Sequence, residues 1–115
     1  MPKVEMEYFD ATVHIPWTPV EGLAEGVYEK ILSIDEEGNK TRLLKWPVCL
    51  ESASSEPLVH TFWEETYVIE GCLYDHKNDA YYTEGYYGCR PPGMLHGPFT
   101  TPTGCLLFEI HYHKN

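Results

Sequence analysis

Gly85-Tyr86-Tyr87-Gly88-Cys89-Arg90-Pro91-Pro92-Gly93-Met94-Leu95-His96 packs three glycines, a double proline and an imidazole into twelve residues. Glycine supplies turns with positive φ and lets backbones approach closely, while proline fixes φ near −65°. The stretch therefore reads as a short strand, Tyr86–Cys89, running into a rigid turn that delivers His96 in a fixed place. A ligand held in place beforehand loses less entropy on binding.

Upstream, His60-Thr61-Phe62-Trp63-Glu64 enters a strand that ends at Gly71. It too sets metal-competent side chains beside a strand end. Breakers spread along the chain bound further short runs with strand character: Ala11–His14, Val27–Ser33, Thr41–Cys49, Thr66–Leu73, Tyr81–Thr83 and Leu106–Tyr112. Asp35–Asn39 and Asp75–Asp79 have the composition of hairpin turns. Glu21–Lys30 comes nearest to a helical pattern, but Gly22 and Gly26 argue against it. The pattern is all-β, a sandwich or barrel.

The last strand alternates with a period of two: Leu106, Phe108, Ile110 and Tyr112 on one face, Leu107, Glu109, His111 and His113 on the other. Hydrophobicity assigns the first face to the barrel interior and the second to solvent or a partner subunit. On that reading His111 and His113 do not form a native metal site, and His14 and His76 are ordinary surface residues.

A length of 115 residues fits one domain. A composition 43% hydrophobic and 23% charged is that of a folded globule. Eighteen acidic against eight basic residues give a net charge of −10, which repels phosphate backbones and anionic bilayers. Nucleic acid and membrane are therefore not expected partners, and no apolar run approaches the ~20 residues of a spanning helix. Residues 1–10 carry alternating charge and no signal core, so a cytoplasmic location is expected. Cys49, Cys72, Cys89 and Cys105 form no CxxC pair and read as reduced thiols.

The two histidine-bearing stretches resemble the paired motifs of the cupin superfamily, G(X)5HXH(X)3–4E(X)6G and G(X)5PXG(X)2H(X)3N. His60 fills the second histidine slot, Glu64 follows after three residues, and Gly71 after six more. Gly85, Pro91, Gly93 and His96 match the second pattern at every spacing. Two slots depart: Leu58 stands at the first histidine and Thr100 at the final asparagine. Ile15-Pro16-Trp17, Thr41–Trp46, Glu64-Glu65 and the run from Arg90 to Cys105 look like the RmlC-like cupins related to the ChrR anti-sigma factor. That group includes dioxygenases resembling acetylacetone dioxygenase.

This resemblance implies a double-stranded β-helix, a jelly-roll barrel over residues 14–113 after an N-terminal extension of 1–13. It implies one divalent metal ion held by His60, Glu64 and His96, the two-histidine, one-carboxylate set of non-haem Fe(II) oxygenases. Fe(II) is preferred, and Zn, Mn or Ni suit the same donors. Arg42, Trp46, Phe62, Tyr67, Met94 and Phe108 are candidate pocket residues, and Arg90, like Arg42, is a candidate to orient an anionic or carbonyl substrate. The expected activity is that of a mononuclear metalloenzyme, dioxygenase-like, cleaving a C–C bond of a dicarbonyl or hydroxylated ketone. A metal-dependent lyase or isomerase is an alternative within catalysis. Outside it, the alternative is a non-catalytic sensor or ligand-binding cupin. Partners are then a small-molecule substrate and a second copy in a homodimer.

Overall fold

The computed structural model describes residues 2–21, 23, 25–48 and 58–113, without the side chains of Leu58, Val59 and His96. Cys49, the end of one expected strand, and Gly22 lie outside the described residues. One short helix, α1 (Ala11–His14), precedes the strands β1 (Thr18–Pro19), β2 (Tyr28–Ile34), β3 (Lys40–Trp46) and β4 (Leu58–Val59). Then follow β5 (Trp63–Gly71), β6 (Leu73–Asp75), β7 (Ala80–Tyr82), β8 (Tyr87–Arg90), β9 (Leu95–His96), β10 (Phe99–Thr100) and β11 (Cys105–Tyr112).

The strands pair into a six-stranded sheet, β1-β2-β3-β11-β5-β8, a three-stranded sheet, β10-β6-β7, and the pair β4-β9. All pairings are antiparallel. This is the jelly-roll barrel of the expected fold class.

Turn chemistry sets the hairpins. Asp35 Oδ1 accepts from the backbone N–H groups of Glu37 and Asn39, both at 2.9 Å, and closes the turn from β2 to β3. Asp75 does the same between β6 and β7, accepting from Lys77 N at 3.1 Å, Asn78 Nδ2 at 2.8 Å and the Tyr82 hydroxyl at 2.9 Å. Ala11–His14, expected as a strand, is instead one turn of helix. Asp10 caps it by accepting from Thr12 N at 3.0 Å, so a local cap outweighs the β-branched Thr12 and Val13.

Register places the core. Leu44, Leu107 and Val68 stand side by side across β3, β11 and β5, all buried. With Val27, Leu73 and Phe99 they form the apolar end of the barrel. Moving along the same face, the next row is Arg42, Glu109 and Thr66, and the one after is His111, Glu64 and Arg90. The interior thus passes from apolar to polar within a few residues.

That gradient corrects the reading of the last strand. Cys105, Leu107, Glu109 and His111 are the buried face of β11, and Leu106, Phe108, Ile110 and Tyr112 the half-covered outer one. Phe108 pairs with Leu43 on one side and Tyr67 on the other, outside the barrel. The more apolar stripe lies outward because the inner stripe serves a polar site whose groups satisfy one another. Cys72, Cys89 and Cys105 are free thiols, as expected. Among the described residues no helix is long and apolar enough to cross a membrane.

Candidate metal centre

Two neighbouring strands build the site. His111 on β11 stands opposite Glu64 on β5, and Glu109 opposite Thr66. Residues directly across an antiparallel pair share a face with their Cβ atoms about 5 Å apart. His60 enters from the segment between β4 and β5, where its carbonyl accepts from Gly93 N at 2.9 Å. That bond ties the first histidine stretch to the Pro91–Gly93 turn of the second. Leu58 of β4 pairs with His96 of β9, so the backbones of both stretches run side by side at the site.

The donor atoms converge. His111 Nε2 lies 3.0 Å and His60 Nε2 3.3 Å from Glu64 Oε2. Glu64, Glu109 and His111, all buried, offer ligand atoms within 4.8 Å of one another. Phe62 stacks on both imidazoles, its ring centroid 4.7 Å from that of His60 and 4.4 Å from that of His111. The aromatic ring fixes the planes in which the two nitrogens point.

Glu109 is already occupied. Its Oε1 accepts from Arg42 Nε at 2.9 Å and pairs with Arg42 Nη2 at 2.7 Å, and His111 Nε2 lies 3.2 Å away. Thr66 Oγ1 reaches its other oxygen at 3.3 Å. Arg42 Nη1 also meets Glu29 at 3.0 Å. The guanidinium charge is thus shared between two carboxylates, and it holds Glu109 beside His111 Nε2.

Electrostatics follow this arrangement. Burial alone would raise the carboxyl of Glu109; the His111 hydrogen bond and the Arg42 charge outweigh it and hold the group at about 2. Burial would lower His111, but its hydrogen bonds to Glu109 and Glu64 raise it above the ordinary histidine value. His60 is held below that value by burial, aided by the neighbouring His111 and opposed by Glu64. One imidazole is therefore biased neutral and the other biased protonated.

The donor set suits a divalent ion of the Fe(II), Mn or Zn kind, which takes imidazole nitrogen with carboxylate oxygen. Donors bound at about 2.1 Å and at right angles stand about 3 Å apart, close to the Glu64 spacings to His60 and His111. Glu64, Glu109 and His111 offer ligand atoms close enough together for one such ion; His60 adjoins them through Glu64, and Arg42 holds Glu109 in place.

A cavity of about 830 Å³ opens onto this cluster. Of the expected pocket residues, Arg42, Trp46, Phe62 and Met94 line it, beside His60 and Glu64. Trp46 is buried and its Nε1 finds no acceptor among the described residues, which leaves a donor free for a ligand. Tyr67 is 46% exposed and, with Phe108, faces away from the cavity on the outside of the sheet. The side chain of His96 lies outside the described residues. The sequence reading sets His111 and Glu109 aside because hydrophobicity assigns both to the outer face, whereas they lie on the buried one. The signal that points to them is a glutamate and two histidines on alternate positions of one strand.

The family model described as the ChrR cupin-like domain matches residues 6–115. No curated protein matches the chain. Among solved structures, an RmlC-like cupin from Ralstonia eutropha JMP134 is similar with a TM-score of 0.77 and 20% identity, covering 96% of this chain and 70% of that one. An acetylacetone dioxygenase from Acinetobacter johnsonii gives 0.74 at 16% identity, over 95% and 75% of the two chains. The Rhodobacter sphaeroides SigE–ChrR anti-sigma complex gives 0.64 at 19% identity, over 86% and 50%. At these identities the likeness is one of fold.

Proposed function

The chain belongs to the ChrR cupin-like domain family over residues 6–115, and from that premise we propose that it is a mononuclear metalloenzyme acting on a small oxygenated organic molecule. The observation that carries the reading is the convergence of His60, Glu64 and His111 at the wall of a cavity of about 830 Å³. A structural metal site is closed by its ligands; a catalytic one keeps positions open toward a pocket. Pockets of this volume suit small ligands, and the cavity walls include Leu44, Val68 and Leu107.

His60, Glu64 and His111 would hold the ion, and His96 joins them in this proposal on the strength of its motif spacing alone. On this reading His111 compensates for Leu58, where the family pattern has a histidine. A divalent ion there supplies Lewis acidity toward a carbonyl or enolate oxygen and, as Fe(II), a site for O₂. The chain's own residues do the rest. Phe62 locks both imidazole planes, Arg42 holds Glu109 beside them, and the apolar wall excludes water from the bound substrate. Oxygen-dependent C–C cleavage of a dicarbonyl or hydroxylated ketone is the reaction we favour, supported by likeness to an acetylacetone dioxygenase.

Metal analysis of protein purified without a chelating tag, followed by oxygen uptake on β-diketones and hydroxylated aromatic ketones, tests the reading. Stoichiometric iron and substrate-dependent uptake are expected. Protein devoid of metal even after incubation with Fe(II), Mn(II) and Zn(II) overturns it. A sensor role has one supporting observation, the similarity to an anti-sigma factor solved with its sigma factor. Bound metal with no turnover on the whole panel would favour that second reading.

A further inference from the structure

The cavity holds three basic side chains from the sheet, and two of them are neutralised. Lys40 Nζ lies 3.5 Å from Glu29, and Arg42 is bound to Glu29 and Glu109. Arg90 is different. It lines the cavity, yet among the described residues it meets no carboxylate; its guanidinium carbon instead sits 5.2 Å from the ring centre of buried Phe99. In a chain with a net charge of −10, a cation left without an acidic partner inside a pocket is unusual.

Its position is set by register. Arg90 on β8 is the cross-strand partner of Glu64 on β5. Partners of this kind project from the same face, so Arg90 shares the inner face with the candidate metal donors. Gly88, two residues earlier on that face, has no side chain, and a Cβ there would stand 3.9 Å from Arg90 Nε. The guanidinium is thus stacked on Phe99, with space beside it on the Gly88 side. The planar fork of arginine matches a carboxylate through two parallel hydrogen bonds, and partial desolvation strengthens them.

We propose that Arg90 is a carboxylate-recognition residue, so that the substrate is an oxo or hydroxy acid anchored by its anionic end at Arg90 and by its ketone oxygen beside Glu64 and His111. The second anchor rests on the metal-centre reading above; the first does not. Arg42, the other arginine in the cavity, is unsuited to this task because its charge is already met by Glu29 and Glu109.

A matched pair of ligands tests this: acetopyruvate, a β-diketone bearing a carboxylate, and its methyl ester. Each is titrated calorimetrically into metal-loaded and metal-stripped protein, wild type and Arg90→Gln, with the metal content of each sample assayed. In the wild type the acid should bind at least about tenfold more tightly than the ester. In Arg90→Gln that ratio should fall to about one while metal content is unchanged, and Arg90→Lys should retain part of it. Equal binding of acid and ester by the wild type overturns the proposal without recourse to any variant, as does a ratio that survives Arg90→Gln. Should the wild type take up no metal, the metal-centre reading fails alone, and the acid-to-ester ratio of the stripped protein still judges Arg90.

Discussion

His111 stands directly across the sheet from Glu64, with its Nε2 3.0 Å from Glu64 Oε2 and 3.2 Å from Glu109 Oε1. This imidazole is therefore gripped by two buried carboxylates and belongs to the centre of the site. Replacing it by alanine should lower the affinity for Zn(II) or Mn(II) by at least about 10–100-fold, the loss typical when even an outer partner of a ligand is removed. Competition with a chromophoric chelator measures this. Metal affinity equal to wild type would return His111 to a purely structural role.

Ion uptake should also release a proton. His60 is biased neutral by its burial, whereas His111 is raised above the ordinary histidine value despite burial, by Glu109 and Glu64. Only a neutral imidazole binds metal. Affinity should therefore fall as pH drops through the elevated His111 value, with the proton release per ion growing toward one below it. Calorimetry in buffers of different ionisation enthalpy reads this number directly. The sign reverses for the metal-free protein: the stabilisation His111 gains from its two carboxylates is full below the ordinary value of 6.5 and is lost as pH rises through the folded one. Glu109, held at about 2 against an ordinary 4.5, contributes stability above 4.5 that fades as pH falls toward 2.

The fate of β11 shows what sequence alone can convey. A period of two identifies the strand and separates its two faces, and both readings hold. It does not say which face is interior when each carries apolar residues. Leu106, Phe108, Ile110 and Tyr112 outscore Leu107, Glu109, His111 and His113 in hydrophobicity, yet Glu109 and His111 are 4% exposed. Their burial depends on Arg42, Glu64 and Thr66, which come from strands remote in sequence. The hairpin turns at Asp35 and Asp75, by contrast, are satisfied within a few residues and were legible for that reason. Motif spacing links His60 and Glu64, which lie 3.3 Å apart in the structure; the register that adds His111 is a tertiary fact.

Arg42→Ala should be among the most destabilising substitutions in the chain. It would strand Glu109, a buried carboxylate whose Oε1 takes two of the Arg42 contacts, at 2.9 and 2.7 Å. Removing one partner of a buried ion pair costs about 3–5 kcal/mol. The double variant Arg42→Met with Glu109→Leu removes both charges and should recover much of that loss in urea unfolding, while weakening the hold on His111. Equal stability of Arg42→Ala and wild type would show that Glu109 finds another counter-charge.

Gly71 supplies the final prediction, and a physical reason for the glycine that closes the first motif. It sits at φ 86° where β5 gives way to β6. A Cβ there would come within 2.1 Å of Gly104 O and 2.8 Å of Cys105 Cα, both backbone atoms that cannot swing aside. Its N–H is meanwhile held by the Glu84 carboxylate at 2.9 Å. Both the left-handed backbone and the close approach exclude a side chain, so Gly71→Ala should cost more than about 3 kcal/mol. Gly85 makes the control: its φ is 92°, but no atom lies within 4 Å of an added Cβ. Gly85→Ala then carries only the backbone strain, about 1–2 kcal/mol. Thermal unfolding of the two variants side by side separates the terms, and a Gly71→Ala variant no less stable than Gly85→Ala would mean that the Cys105 end of β11 can move away from β5.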